Sequence, residues 1–467
     1  METMEASREI SEDLKQLKAS SWQLRKEGVR ERKRRLRDLE KWILDNRDNI
    51  HKAVFADFRK SSNETDISEI FPVLTEIRDA LKNLDDWSAA KKVSPSLPYL
   101  GTSARVVYEP KGLCLIISPW NYPFNLTVGP VVSALAAGNT LAIKPSEFTP
   151  HTSQLIQEMC EQLFGGRLVK VYQGNYQISQ ELLEYPFDHI FFTGSPRVGK
   201  IVMEAAARHL TSVTLELGGK SPTIIDDTAD VKDAAEKIAW GKWLNAGQTC
   251  VAPDYVFVHE RIKDSFVAEL KNMAKKLYGQ SKNYTGIISE NHRERLNSLL
   301  QNAIDHGGKI EFSIEHEVEE NRLGPVVLSE IEEKADIMEE EIFGPILPVM
   351  TYRDLDAVID YVNQRPKPLA LYFFSSSRSA IRRITEETTA GSMCVNDCVL
   401  QFSHPELPFG GVNNSGIGKA HGHYGFLAFS NEKSVLHQRK GMTMAKTLYP
   451  PYGGLKKITL NFLLKYF

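Results

Sequence analysis

Strand-sized apolar runs alternate with amphipathic helical patterns from about residue 105 onward, and this alternation restricts the fold more than any other feature of the chain. The runs at 105–108, 113–117, 140–143, 169–172 and 190–192 are too short for helices, and several are apolar without a break. Runs of that kind belong to strands buried on both faces. Between them, 129–137 has the pattern of a small-residue helix, and 152–163, 179–183 and 198–210 have amphipathic spacing. The predicted unit is a parallel sheet covered by helices, with ligands at the carboxyl ends of its strands. A second set follows, with strands at 223–225, 255–258, around Val349 and at 369–374. At 467 residues the chain is too long for one hydrophobic core. The expected fold class is therefore α/β, with two doubly wound α/β domains. Residues 311–321 are acidic and read as a surface excursion.

Ahead of the alternation, residues 10–84 read as surface helices, with Trp42, Ile43, Ile50, Val54 and Phe58 at helical spacing. The basic run 30–37 is read as a solvated helix face, because acids flank it and no aromatics interleave it. With 57 basic against 60 acidic side chains, the chain has no global field for nucleic acid or an anionic membrane. No apolar run approaches the roughly 20 residues a spanning helix needs. Five cysteines, with no CxxC pair, point away from a disulfide framework and toward a reducing compartment. The charged first twenty residues lack the apolar core of a secretory signal. A cytoplasmic location is expected.

Among the cysteines, Cys250 is the hardest to explain as core, since it sits in a turn-like stretch of glycine and polar residues, Asn-Ala-Gly-Gln-Thr-Cys. Cys114 falls in an apolar strand and Cys160 on a helix face; Cys394 and Cys398 have no companion histidines, so no metal site is expected. A thiolate nucleophile needs a base and donors for the oxyanion it creates. Glu216 lies among apolar residues before a double glycine, where burial would raise its pKa into the range of a general base. The same segment also fits a strand-edge acid facing solvent. Asn121, between two prolines after the strand 113–117, offers an uncharged amide donor, although a bare asparagine in a turn is more often structural. Thr193-Gly194-Ser195-Pro196 and Gly199 follow a strand and open a helix, the arrangement that accepts phosphate, although GxxxxG is not the common dinucleotide fingerprint. Lys144 and Glu147, at the end of another strand, are placed to hydrogen-bond a ribose.

In this order the segments PWNYPF (119–124), IKPSE (143–147), FTGSPRVGK (192–200), TLELGGKSP (214–222), GQTCVAPDY (247–255), EEIFGPILP (340–348), KPLALYFF (367–374) and LPFGGV (407–412) resemble the aldehyde dehydrogenase superfamily, and more closely its class-three branch of fatty and aromatic aldehyde dehydrogenases. The match spans roughly residues 10–440. The resemblance implies Cys250 as nucleophile, Glu216 as general base, and Asn121 with the Cys250 backbone N–H as oxyanion hole. It implies NAD or NADP as cofactor, with Lys144 and Glu147 at the adenosine ribose, Thr193, Gly194, Ser195 and Gly199 around the pyrophosphate, and Glu341 and Phe343 against the nicotinamide. Tyr122 and Trp240 are the implied substrate contacts. The implied division is a Rossmann-like dinucleotide-binding domain (1–84 and 108–216), a catalytic domain (217–415), a bridging and oligomerisation element (85–107 and 416–446) that makes a homodimer, and a C-terminal tail (447–467).

Two departures from the family pattern stand out. Pro196 occupies a position where a small hydroxyl residue is common, which removes an N–H near the pyrophosphate and puts cofactor affinity in doubt. After LPFGG the chain reads Val412-Asn-Asn-Ser-Gly416, a changed rim for the substrate tunnel. The tail 455–467 mixes aliphatic, aromatic and lysine residues and is expected to pack over a partner subunit or the substrate entrance, with weak peripheral membrane contact as the alternative. The expected reaction is NAD(P)-dependent oxidation of aliphatic medium- to long-chain or aromatic aldehydes to acids. An acylating enzyme that passes the thioester to coenzyme A or phosphate is the alternative on the same fold; a cofactor-independent cysteine hydrolase, or an inactive binding protein, are alternatives of another class.

Overall fold

A computed structural model describes residues 2–94, 99, 101–279, 284–316, 321–441, 443, 446 and 449–466. The N-terminal region is helical, as its spacing predicts: α1 (Glu2–Leu24), α2 (Val29–Asp45), α3 (Arg47–Phe58), α4 (Ser62–Thr65) and α5 (Phe71–Ser88), with a π-helical turn at Asp66–Ile70. The apolar side chains Leu36, Leu39, Ile43, Ile50, Val54 and Ile77 are buried, so these helices cover a sheet rather than merely ride on the surface. The basic run lies on α2. Arg34 and Arg35 pair with Glu31 and Glu27, but Arg32 turns inward, donating to the Ala136 carbonyl at 3.3 Å. That cation sits at the end of a neighbouring helix, where free carbonyls accumulate.

The strands are β1 (Lys91–Val93), β2 (Thr102–Pro110), β3 (Leu113–Ile117), β4 (Thr140–Lys144), β5 (Val169–Val171), β6 (His189–Thr193), β7 (Ser212–Glu216), β8 (Pro222–Ile225), β9 (Tyr255–His259), β10 (Lys309–Ser313), β11 (Val326–Ser329), β12 (Ile346–Tyr352), β13 (Ala370–Phe374), β14 (Ser392–Val395), β15 (Gly416–Ile417) and β16 (Ser430–Gln438). They form a six-stranded sheet in the order β15-β7-β6-β3-β4-β5, a seven-stranded sheet β10-β11-β12-β9-β8-β13-β14, and a three-stranded sheet β1-β2-β16. Both large sheets are parallel except for one antiparallel edge strand each, β15 and β10. The two doubly wound α/β units expected from the alternation are present.

The intervening helices are α6 (Asn125–Ala137), α7 (Pro150–Phe164), α8 (Tyr176–Leu183), α9 (Pro196–Arg208) and α10 (Val231–Trp243). Their ends follow local chemistry. Gly138 closes α6 with φ +91°, Asp230 caps α10 by accepting from Lys232 and Asp233, and Ser195 caps α9. In the six-stranded sheet the chain winds from β3 outward through β4 and β5, then returns to build β6 and β7 on the other side. The crevice between β3 and β6 is a topological switch point, open at the carboxyl ends of the strands.

Three differences from the sequence expectation have physical reasons. Residues 309–313, partly inside the supposed surface excursion, form the edge strand β10, because buried Phe312 anchors an otherwise polar segment. Residues 317–320 lie outside the described residues. Gly416–Ile417, not read as a strand in the sequence, pairs with β7, since two residues carry no periodicity of their own. The C-terminal helix Leu455–Tyr466 leaves Ile458, Phe462 and Leu464 exposed on this chain. Among the described residues, no helix is long and apolar enough to cross a membrane, and no cluster of three or more His, Cys, Asp or Glu could hold a metal.

Candidate active site

Three turns converge where the two large sheets meet. Asn121 follows the carboxyl end of β3, Glu216 is the last residue of β7, and Cys250 lies in the turn that leads into β9. The first sheet thus presents carboxyl ends of its strands, and the second presents amino ends, a reversal the strand pattern does not reveal. Ahead of Cys250 the backbone runs through Asn245, Ala246 and Gly247 at φ +55°, +52° and +75°. A Cβ on Gly247 would stand 2.2 Å from the Gly344 carbonyl oxygen, so only glycine allows that close approach. The loop carrying Asn121 is tied to this turn. Asn121 Nδ2 donates to the Gln248 carbonyl at 3.0 Å, and Asn245 Nδ2 donates to the Asn121 carbonyl at 2.9 Å.

Asn121, Glu216 and Cys250 all line one cavity of about 270 Å³, together with Glu341 and Phe343. A smaller cavity of about 60 Å³ also reaches Cys250 and is walled by Ile67, Tyr122, Leu126, Trp240, Val399 and Phe402. Tyr122 and Trp240, the expected substrate contacts, therefore sit together in a largely apolar passage that ends at the thiol. Tyr122 Oη is hydrogen-bonded to Thr249 Oγ1 at 2.5 Å, which fixes the ring beside the Cys250 turn.

Of the carboxylates around the thiol, Glu216 is buried and Glu341 half-buried. Glu216 is 5% exposed, and neither of its oxygens has a hydrogen-bond partner among the described residues. Burial pushes its pKa well above the ordinary carboxylate value, against the opposing pull of Lys419. The strand-edge alternative for this residue falls, since it does not face solvent. Burial and neighbouring Asp254 push Glu341 up to about 8. The Cys250 thiol is pushed up to about 12 by burial, with Glu341 and Glu216 adding to the rise. As it stands the thiol is protonated at neutral pH, and attack requires that a base take its proton. The charged groups that bear on Cys250 are carboxylates rather than an imidazole, unlike a cysteine–histidine hydrolase.

The residues expected to hold a dinucleotide divide into two groups. Thr193, Gly194 and Ser195 line the same cavity as Cys250, at the N-terminus of α9. Lys144 and Glu147 lie at the carboxyl end of β4, outside the cavity lining, with Lys144 Nζ donating to Glu147 at 3.2 Å and to the Pro145 carbonyl at 2.7 Å. The arrangement fits a dinucleotide. A Cβ on Gly194 would lie 2.5 Å from the Phe192 ring, so the bare backbone keeps the mouth of the crevice open. Gly199 does not line the cavity. It lets α9 press onto the sheet, because a Cβ there would meet Leu217 Cδ2 at 2.7 Å. Pro196 is the first residue of α9, where the missing N–H would have no intrahelical partner and the fixed φ favours the helix; Ser195 Oγ accepts from Val198 N at 3.4 Å. Pro196 thus begins the helix without breaking one of its hydrogen bonds.

Sequence reading missed the polar support beneath Asn121. Lys60 and Glu69 are fully buried and paired at 2.7 Å. Glu69 Oε2 accepts from the backbone N–H groups of Phe124 and Asn125, and Lys60 Nζ stands 4.5 Å from the Tyr122 ring centroid. Glu64 accepts from Asn245 N at 2.7 Å. In the sequence these are ordinary charges on helices, and nothing local distinguishes them. Lys419 was missed for the same reason.

Comparison with known proteins agrees with this geometry. The pattern of the aldehyde dehydrogenase family matches residues 4–435. The chain is 41% identical to mouse aldehyde dehydrogenase family 3 member B3, over 93% of this chain and 90% of that one. It is 42% identical to the 4,4'-diaponeurosporen-aldehyde dehydrogenase of Staphylococcus aureus, over 91% and 92%. A solved structure of Staphylococcus aureus AldH in a substrate-bound state superimposes with a TM-score of 0.93 at 40% identity, covering 97% of this chain and 99% of that one. With the family pattern running through both large sheets and the cavity between them, this chain belongs to the aldehyde dehydrogenase family.

Proposed function

We propose that this NAD(P)-dependent aldehyde dehydrogenase oxidises aliphatic medium- to long-chain or aromatic aldehydes to carboxylic acids through a thioester on Cys250. The observation that carries the reading is the position of Cys250, at the junction of an apolar passage and a cavity that holds an unpartnered carboxylate, Glu216. The apolar walls of the passage suit a hydrocarbon substituent and offer few partners for a sugar or a polyol. The aldehyde carbon is presented to Sγ by Tyr122 and Trp240. Addition of the thiolate leaves an alkoxide, which the Asn121 amide and the Cys250 backbone N–H stabilise. Thr193, Gly194 and Ser195 would hold the dinucleotide at the N-terminus of α9, with Lys144 and Glu147 toward its ribose and Glu341 and Phe343 toward its nicotinamide. A bound nicotinamide supplies one function, acceptance of the hydride leaving the substrate carbon. Glu216 then takes a proton from water, whose oxygen attacks the thioester carbonyl and releases the acid and the Cys250 sulfur.

The two free edges of the three-stranded sheet, β1 and β16, support assembly as a homodimer. Five free cysteines support a reducing, cytoplasmic setting. Substitution of the base tests the chemistry. Glu216→Gln is expected to form up to one equivalent of NAD(P)H per site and then stall with the acyl group on the Cys250 peptide, read by mass spectrometry. Cys250→Ser is expected to bind coenzyme without turnover. Normal steady-state acid production by Glu216→Gln overturns the assignment of the base, and turnover sustained only by coenzyme A or phosphate identifies an acylating enzyme.

A further inference from the structure

The segment after LPFGGV folds back against Glu216. β15 pairs antiparallel with β7, with Gly416 opposite Glu216 itself. Gly418, at φ +88°, carries the chain past the Thr214 side chain, and Lys419 follows. The Lys419 ammonium donates to the carbonyl of Gly410 and to those of Gly411 at 3.4 Å and Gly391 at 3.5 Å. Three backbone carbonyls around one ammonium match its three N–H donors, and they hold the cation at a fixed place. A Cβ on Gly410 would lie 3.0 Å from both Glu216 Oε1 and Lys419 Cδ, so the absence of a side chain at Gly410 allows carboxylate and lysine stem to share one space. The charged and titratable groups around Glu216 are few. Lys419 approaches from the β15 side, Cys250 from the turn before β9 and Glu341 from the segment before β12; His292, Arg295 and the hydrogen-bonded pair Glu76–His421 stand further round the cavity wall. Of these, Lys419 is the one whose charge opposes the effect of burial on Glu216.

A buried base with no hydrogen-bond partner faces a conflict. Burial favours its protonated form, and a protonated carboxyl cannot take a proton from water. A cation placed nearby, but bound to carbonyls and not to the carboxylate, relieves that conflict and leaves both carboxylate oxygens free for water. We propose that Lys419 is a positioning residue for the hydrolytic step, its carbonyl-bound ammonium favouring the ionised form of Glu216 while the acyl group is on Cys250. The inference rests on the reading of Glu216 as the hydrolytic base.

The test follows decay of an acyl-enzyme formed from an activated ester, which isolates hydrolysis from attack on the aldehyde. Decay is measured between about pH 6 and 10 for the wild type, Lys419→Met, Lys419→Gln and Lys419→Arg, a span that covers the working range of a raised carboxyl base. Lys419→Met removes the charge and the donors, Lys419→Gln keeps donors without charge, and Lys419→Arg keeps the charge. The acid limb of the profile is expected to move up by about 1 pH unit in both neutral variants, with roughly tenfold slower decay at neutral pH and recovery in alkali. Lys419→Arg is expected to restore the limb. A limb that stays in place in Lys419→Gln, or a loss equal at every pH, overturns the proposal, since the second result describes a loop that has lost its anchor. Should Lys419→Met not fold, Lys419→Gln alone decides. Glu216→Gln in the same assay separates the two claims. If it hydrolyses the thioester normally, the base assignment fails; if it stalls while the limb of the lysine variants stays put, the role of Lys419 alone fails.

Discussion

Asn121 shows how a single side chain is prepared for a reaction. One N–H of its amide is occupied by the Gln248 carbonyl at 3.0 Å, which sets the plane of the amide. An amide has a second N–H, which on the proposed mechanism would meet the alkoxide. Because the residue is only 3% exposed, little water competes for that donor. Asn121→Ala is therefore expected to slow the chemical step by roughly 10²- to 10³-fold, in the range found when one oxyanion donor is removed. Single-turnover formation of NAD(P)H reads this directly; a near-normal rate would remove the residue from the site. Cys250 carries the complementary constraint. Its thiol, pushed up to about 12 by burial, is a poor nucleophile until a base takes its proton.

At the scale of elements, α9 links the dinucleotide crevice to the catalytic carboxylate. Its first turn lines the cavity through Ser195, and Gly199 on the same helix packs against Leu217, the residue that follows Glu216. On the proposed reading, coenzyme binding and the placement of β7 would depend on the same helix. Pro196 contributes to its stiffness by fixing φ at the helix start. Pro196→Ser is expected to lower stability by about 0.5–1 kcal/mol, because the unfolded chain gains freedom. Coenzyme affinity should change by less than roughly threefold, well under 1 kcal/mol, since no hydrogen bond of the helix depends on the ring. Thermal melting and coenzyme titration of the two proteins decide the matter. A tenfold gain in affinity would show that the missing N–H does weaken phosphate binding.

The whole molecule is arranged so that the N-terminal helices brace the catalytic loop from outside. Lys60 and Glu69, far apart from Asn121 in sequence, meet beneath it as a fully buried pair, and Glu69 receives the N–H groups that start α6. Removing one member of a buried ion pair leaves the other uncompensated. Lys60→Met is expected to destabilise the protein by about 3–5 kcal/mol, and replacing Glu69 by Leu as well should recover part of that loss. Melting of the single and double variants is the check. Equal melting temperatures for wild type and Lys60→Met would show that the pair does not support the loop.

The parallel strands and the helices between them were legible in the sequence because their apolar residues repeat at fixed local spacing, as in the fully buried β3, β4 and β13. The candidate site was also legible, since Asn121, Glu216 and Cys250 each stand at the end of an element or in a turn marked by proline or glycine. Edge strands were not. β10, β15 and β16 are short or largely exposed, and their pairing depends on a distant partner and not on their own composition. The charges that tune the site were hidden for a related reason. Lys60, Glu64, Glu69 and Lys419 look like surface residues in sequence, and only tertiary packing buries Lys60 and Glu69 fully and withdraws Glu64 and Lys419 in part. The chain by itself determined the elements and the reactive side chains, because those are written in local spacing and residue chemistry. Tertiary structure decided which ends of the two sheets face each other and which charges lie near the thiol and its base, because burial and charge separation exist only once distant segments are brought together.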